Sequence, residues 1–467
     1  MPVLPGTQER FMKGKIGFIS VVLLFSGTAS VYKAISAPTV FPTGTTIYDP
    51  ARTWNGYTVL SILDTRAVMV IDMNGRVVKR WDDLNVSGGG PARILPGGII
   101  VATAGANPPH QESTELVQRD FNGNEMWRFD HLEQITAENG DSIWSARQHH
   151  DWQRSDFPAG YYSPQFIPST ENATTLLLTH TNHVVPAITD KVIEDDRLVE
   201  INWAGEVQWE WLASDHIDEL GFDDAARATI HAAPGFSAPR GSFDWLHANS
   251  AHYVGPNQWY DAGDQRFAPE NVIISSRESS VVFIINRAGN VVWKLGPDFS
   301  RSEAERKIGQ IIGQHHAHFI PPGLPGAGNV IIFDNGGGSG YGASSPIGLN
   351  GTRIYQRSNS RVLEINPLTL EVVWSYTAAN FFSTNISGAQ RLPNGNTLIT
   401  EGAPGRVFEV TVDGDIVWEY MNAPGEVGRR SNGVYRAYRL PYEWIPQLAS
   451  PQERAVTPPQ PGTFVLP

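Results

Sequence analysis

The stretch Val407-Phe-Glu-Val-Thr-Val-Asp-Gly414-Asp-Ile-Val-Trp418 decides the fold. Two apolar runs of period two flank a glycine turn, which reads as a β-hairpin. The closing phrase recurs as Gly123-Asn-Glu-Met-Trp127, Gly205-Glu-Val-Gln-Trp209 and Gly289-Asn-Val-Val-Trp293. Leu370-Glu-Val-Val-Trp374 keeps the tryptophan without the glycine, and Gly75-Arg-Val-Val-Lys79 keeps the glycine without the tryptophan. Each copy follows a second apolar run, such as Ala67–Ile71, Leu198–Ile201, Val281–Ile285 or Val362–Ile365. Repeated hairpins closing on tryptophan read as the outer halves of propeller blades.

The inner halves carry their own repeat. Its best copy is Ser387-Gly-Ala-Gln-Arg-Leu-Pro393-Asn-Gly-Asn-Thr-Leu-Ile399. Related copies are Gly90–Pro96, His149–Trp152, Asn249–Val254 and His315–Pro321. Four strands per repeat is the blade unit. The first repeat begins at Thr58 without an inner strand, and the missing piece stands at Tyr435-Arg-Ala-Tyr-Arg-Leu-Pro441. The sequence therefore predicts an all-β, six-bladed β-propeller over 38–444, with the C-terminal strand pairing into the N-terminal blade. Such pairing removes two exposed sheet edges.

Composition narrows the function. Net charge is −13 with no basic stripe, which speaks against nucleic acid as a partner. There are no cysteines, so disulfides, thiolate catalysis and cysteine-bound metals are excluded. Lys13 and Lys15 precede the apolar run Ile16–Val31, and Ala34-Ile-Ser-Ala37 offers small residues for cleavage. Residues 1–37 read as a signal peptide or N-terminal anchor, giving a periplasmic or secreted protein that touches membrane only if the segment stays uncleaved. Residues 445–467 read as a proline-rich tail, disordered or wrapped on the surface.

Antiparallel pairing brings inner-strand starts and second-strand ends to one face of the ring. Of the 13 histidines, His149, His150, His180, His247, His315 and His316 map there, with Asn249, Asn335 and Arg277. Arg361 opens a third strand nearby, although Arg197 and Arg406 repeat its position and suggest an architectural task. Imidazole, guanidinium and amide groups together suit an oxyanion. The histidines also offer nitrogens to zinc or copper, yet local chelate spacing is almost absent. No cofactor is assigned, with a metal ion at the mouth as the alternative. The insertions Ser214–Ile230 and Ser300–Ile312, the second capped by Ser302, and the loop 336–360 leave on the same side as potential lids.

The runs Gln148-His-His-Asp-Trp-Gln153, Asp244-Trp-Leu-His-Ala-Asn-Ser250, Gly313-Gln-His-His-Ala-His318, Phe333-Asp-Asn-Gly336 and Ser360-Arg-Val-Leu-Glu-Ile365 resemble the bacterial arylsulfotransferase family. The resemblance covers about Tyr48 to Trp444. It implies a periplasmic propeller that moves sulfate from an aryl sulfate to a phenol, independently of PAPS, through a histidine. It implies pocket histidines at His247 and His315, and an arginine at Arg361 or Arg353. It also implies a sulfate-accepting histidine late in the chain, but none follows His318, so either another histidine, such as His316, accepts the sulfate or the chain does not use that mechanism. The expected catalytic set is His247, His315 and His316. Arg277, Asn335, Arg361, Asn249, His149, His150 and His180 are expected to bind substrate. Two rival readings use the same residues: a non-catalytic anion-binding propeller, and a metal-dependent hydrolase or lyase.

Overall fold

Short period-two runs broken by glycine turns cannot bury both faces alone, so they stack as sheets around an axis. Residues 43–63, 65–84, 90–108, 110–137, 139–235, 243–339, 357–423 and 432–458 are described here, in a computed structural model. Arg353 and the N-terminal segment lie outside these residues. Six antiparallel sheets form six blades. Their innermost strands are Val434–Leu440, Arg93–Leu95, Gln148–Arg154, Ala248–Tyr253, His315–Phe319 and Gly388–Arg391, for blades 1 to 6.

The C-terminal strand heads blade 1, where Tyr57 faces Leu440 and Leu60 faces Ala437. The N-terminal strand Gly44–Tyr48 adds a fifth, outermost strand to blade 6, pairing Tyr48 with Trp418. Neither repeat pointed to this strand, which is short and carries three polar or glycine positions. Residues beyond 444 continue the packing: Ile445 is buried, and Val456 bridges Tyr48.

The recurring tryptophans join one blade to the next. The indole N–H of Trp81 donates to Asp120 O, Trp127 to Trp203 O, Trp209 to Arg287 O, Trp293 to Pro367 O and Trp374 to Val412 O. Trp418 donates to Met73 O at 2.8 Å, linking blade 6 to blade 1. Each acceptor lies in the outer turn of the neighbouring blade. Blade 1 thus keeps its tryptophan, as Trp81, two residues beyond the repeat position.

The insertions form short helices. Asp223 caps the helix Asp224–Ala232, and the Ser302 side chain caps Glu303–Ile308 by accepting from Glu305 N. Among the described residues, no helix is long and apolar enough to cross a membrane.

Candidate functional site

Backbone irregularities aim the histidines. Arg147, His247 and Gly313 stand at one equivalent place before the inner strands of blades 3, 4 and 5, with φ of 45°, 52° and 57°. Glycine reaches this left-handed region freely; arginine and histidine do so at a cost. Three residues on, His150 and His316 are left-handed as well, at 53° and 54°. The strand ladders slip there, between Gln148 and Trp152 and between His315 and His318. Bulges of this kind turn side chains out of the sheet face they would otherwise occupy. The Tyr435 hydroxyl donates to His150 O at 2.7 Å and fixes the bulge from blade 1. Gly90 presses on the same bulge: a Cβ there would lie 3.2 Å from His150 C.

Four histidines gather as a result. His149 and His180 stack with ring centroids 3.6 Å apart. His149 Nδ1 and His150 Nδ1 are 2.9 Å apart and share a hydrogen bond. His150 meets His247 edge to face, with centroids 4.6 Å apart. His247 Nδ1 is bonded to Asp244 Oδ2. His180 Nδ1 is 3.1 Å from Glu112 Oε1, and Arg147 Nη2 donates to the same oxygen at 2.7 Å. Among the described residues, the second nitrogens of His150 and His247 have no hydrogen-bond partner, and neither is sealed from solvent.

Burial and neighbours divide these imidazoles into two kinds. Burial, then the nearby His247 and His149, hold His150 well below the ordinary histidine value, so it is neutral. Burial would lower His247 too, but the Asp244 carboxylate outweighs it and raises His247. Burial likewise opposes charge on His180, and its bond to Glu112 with the charges of Asp244 and Asp196 lifts it to about 9. An imidazole held neutral therefore faces one whose charged form is favoured by Asp244. Arg277 stands beside them: its charge helps lower both His247 and His315, and its own backbone N–H donates to His247 O at 3.0 Å.

The blade 5 histidines are engaged differently. His315 Nδ1 donates to Asn335 Oδ1 at 2.8 Å, and His315 Nε2 accepts from Ile386 N at 3.1 Å. Asn335 in turn donates to Ser383 O and Ile386 O. His316 Nδ1 accepts from Ala389 N at 3.3 Å, and its Nε2 is 3.2 Å from the Tyr438 hydroxyl. Both rings have both nitrogens engaged. Arg361 makes no hydrogen bond to any histidine among the described residues. It pairs with Asp334 and donates to the carbonyls of Ile308, Gly309 and Gln310. Arg406 repeats this arrangement with Glu401 and Glu419. Asn249 Nδ2 donates to Gln314 O, and its Oδ1 is buried without a partner.

Deeper in the ring, Asp151 is fully buried between Arg93 and Arg436, each at 2.8 Å, with His252 Nε2 at 3.0 Å. The two guanidiniums and His252 hold its carboxyl well below the ordinary range despite burial. Arg436 also donates to Asn249 O at 2.6 Å. Sequence reading missed Glu112, Asp196, Asp244 and this Asp151 centre. Only Asp244, three residues before His247, carried a local signal.

Clefts of about 460 to 600 Å³ lie elsewhere, one of them between Trp209, Trp211 and Arg287. Chemistry rather than volume marks the mouth: paired acids and histidines of opposed protonation are costly to bury without a task.

A family model described as Arylsulfotransferase (ASST) matches residues 151–422, more than half of the chain. The chain belongs to the arylsulfotransferase family. Family and propeller together support a sulfotransferase-like function on small aryl substrates. No protein with a curated description matches. Among solved structures, a Bacteroides caccae protein of unknown function overlays with a TM-score of 0.42 at 11% identity, covering 82% of this chain and 98% of that one. Dihydro-heme d1 dehydrogenase NirN overlays at 0.37 and 9% identity, covering 85% and 77%. Apo AztD from Citrobacter koseri overlays at 0.36 and 10%, covering 82% and 97%. At such identities these overlays bring no activity with them.

Proposed function

We propose that this protein moves a sulfuryl group from an aryl sulfate to a phenol, with His150 carrying the group between them. The observation that supports this is the facing pair: His150, neutral and open at Nε2, against His247, whose charged form Asp244 favours. With His150 Nδ1 as the donor in its hydrogen bond to His149 Nδ1, a lone pair is left on His150 Nε2. That lone pair attacks sulfur, and an N–S bond forms as the S–O bond to the aryl group breaks. The leaving phenolate takes the proton from His247 Nε2. An acceptor phenol then returns a proton to His247 and attacks the sulfur. The N–S bond breaks, and His150 departs as neutral imidazole. Arg277 offers its guanidinium to the sulfuryl oxygens as their charge shifts. In this reading His315 and His316, with both nitrogens engaged, shape the site, and Arg361 holds the scaffold.

Purified protein given 4-nitrophenyl sulfate and a phenol should release 4-nitrophenol with parallel double-reciprocal lines as the phenol is varied. Intersecting lines would remove the covalent step. Anion binding without any nitrophenol would favour a binding propeller instead. We also propose export, on the strength of Lys13, Lys15 and the apolar run Ile16–Val31. Recovery of the protein in the cytoplasm with Met1 or Pro2 at its N-terminus would contradict it.

A further inference from the structure

We propose that His149 Nε2, His180 Nε2 and Asp196 Oδ1 form a binding site for one divalent transition-metal ion. All three atoms are buried, and among the described residues none has a well-aligned hydrogen-bond partner, the nearest approach being between two of them, His149 Nε2 and Asp196 Oδ1. They lie within 4.8 Å of one another. Asp196 Oδ1 is 3.3 Å from His149 Nε2 and 3.8 Å from His180 Nε2. Ligand atoms about 2.1 Å from a tetrahedral zinc ion stand roughly 3.4 Å from each other, so the spacing fits.

The far side of each group is anchored in the way that metal ligands usually are. His180 turns Nδ1 to Glu112 and Nε2 toward the gap, where an ion would displace the proton that the charged ring carries there. Asp196 Oδ2 accepts from Ala248 N at 2.9 Å, leaving Oδ1 toward the gap. His149 places Nδ1 on His150. Partners of this kind fix the tautomer and direction of ligating groups. The two rings are nearly parallel, with 16° between planes, so an ion would sit at their shared edge and tilt them toward it. Two imidazoles and one carboxylate suit zinc, copper or iron better than calcium or magnesium. A buried water is the competing occupant of the same gap.

One consequence rests on the function proposed above. A metal on His149 Nε2 puts the proton of His149 on Nδ1, which must then donate to His150 Nδ1. His150 in turn carries its proton on Nε2 and loses the lone pair that attacks sulfur. Ion and sulfuryl adduct exclude each other, and the ion acts as an inhibitor.

The test uses full-length protein without a polyhistidine tag, stripped with a chelator. Zn²⁺ is titrated against a chromophoric chelator, and Co²⁺ is followed by its visible bands. One ion per chain is expected. H180Q and D196N, checked for folding by circular dichroism, should each weaken binding by roughly 100-fold. No binding by the folded wild-type protein overturns the site. Unchanged affinity in both folded variants overturns it as well. Binding that abolishes nitrophenol release supports the mutual exclusion. Binding that leaves release untouched upholds the site and removes the exclusion. Binding without release under any condition upholds the site while the transferase reading fails.

Discussion

His149 and His150 are neighbours in sequence with opposite surroundings. His149 faces His180 and Asp196 inside the blade, while the left-handed backbone at His150 turns its ring toward His247. The repeat made legible that His149, His150, His180 and His247 come together, whereas His316 packs with the deeper His252 and His318. It does not show which nitrogens are engaged, because one partner of His315 and one of His316 are backbone N–H groups, of residues 386 and 389. Protonation was hidden for the same reason: Glu112 and Asp196 come from other segments. His247 gives a prediction at this scale. As a cation it serves as the acid, and its value is raised above the ordinary histidine range. With an aryl sulfate whose phenol leaves poorly, kcat/KM should hold at low pH and fall as pH rises through the His247 value. In H247Q that alkaline limb should vanish. A profile in H247Q identical to wild type would remove His247 from acid catalysis.

At the scale of the element, the C-terminal strand Val434–Leu440 does more than fill blade 1. Tyr435 fixes the His150 bulge, and Arg436 joins Asp151 to the carbonyl of Asn249. The repeat identified this strand from its Ala, Arg, Leu and Pro positions. It did not identify Tyr435 and Arg436 as supports, since their partners are 285 and 187 residues away. R436L leaves Arg93 as the only guanidinium on a buried carboxylate. Breaking a buried pair on one side costs about 3–5 kcal/mol. Urea unfolding of R436L should show a loss of at least about 3 kcal/mol, with much reduced transfer in the remaining folded protein. A loss below about 1 kcal/mol would contradict a central role for the Asp151 centre.

Across the whole molecule, six tryptophan indoles each reach a carbonyl of the next blade, and Trp418 makes the link from the last blade to the first. The repeat exposed this because a tryptophan recurring at one place in a hairpin must meet a recurring partner. It missed the outer strand Gly44–Tyr48, whose five residues carry too little pattern to stand out. Trp418 is wholly buried, while Trp374 donates near solvent. Met73 O keeps Thr45 Oγ1 as a donor, so W418F costs the indole hydrogen bond, about 0.5–1.5 kcal/mol, and the cavity left by the lost ring. W418F should therefore lose about 1–3 kcal/mol in urea unfolding, and W374F less than about 1 kcal/mol. Equal losses would mean that the link from blade 6 to blade 1 carries no special load. The mouth joins these scales, since blades 1, 3 and 4 must all be in place to set His150 against His247. The most direct measurement is intact-mass spectrometry of the protein mixed with 4-nitrophenyl sulfate, without acceptor. Wild type and folded H316A should each gain one sulfuryl group, and H150A none, with its transfer lowered on the order of 10⁴-fold. A sulfuryl adduct that persists in H150A, or that disappears in folded H316A, would contradict His150 as the carrier.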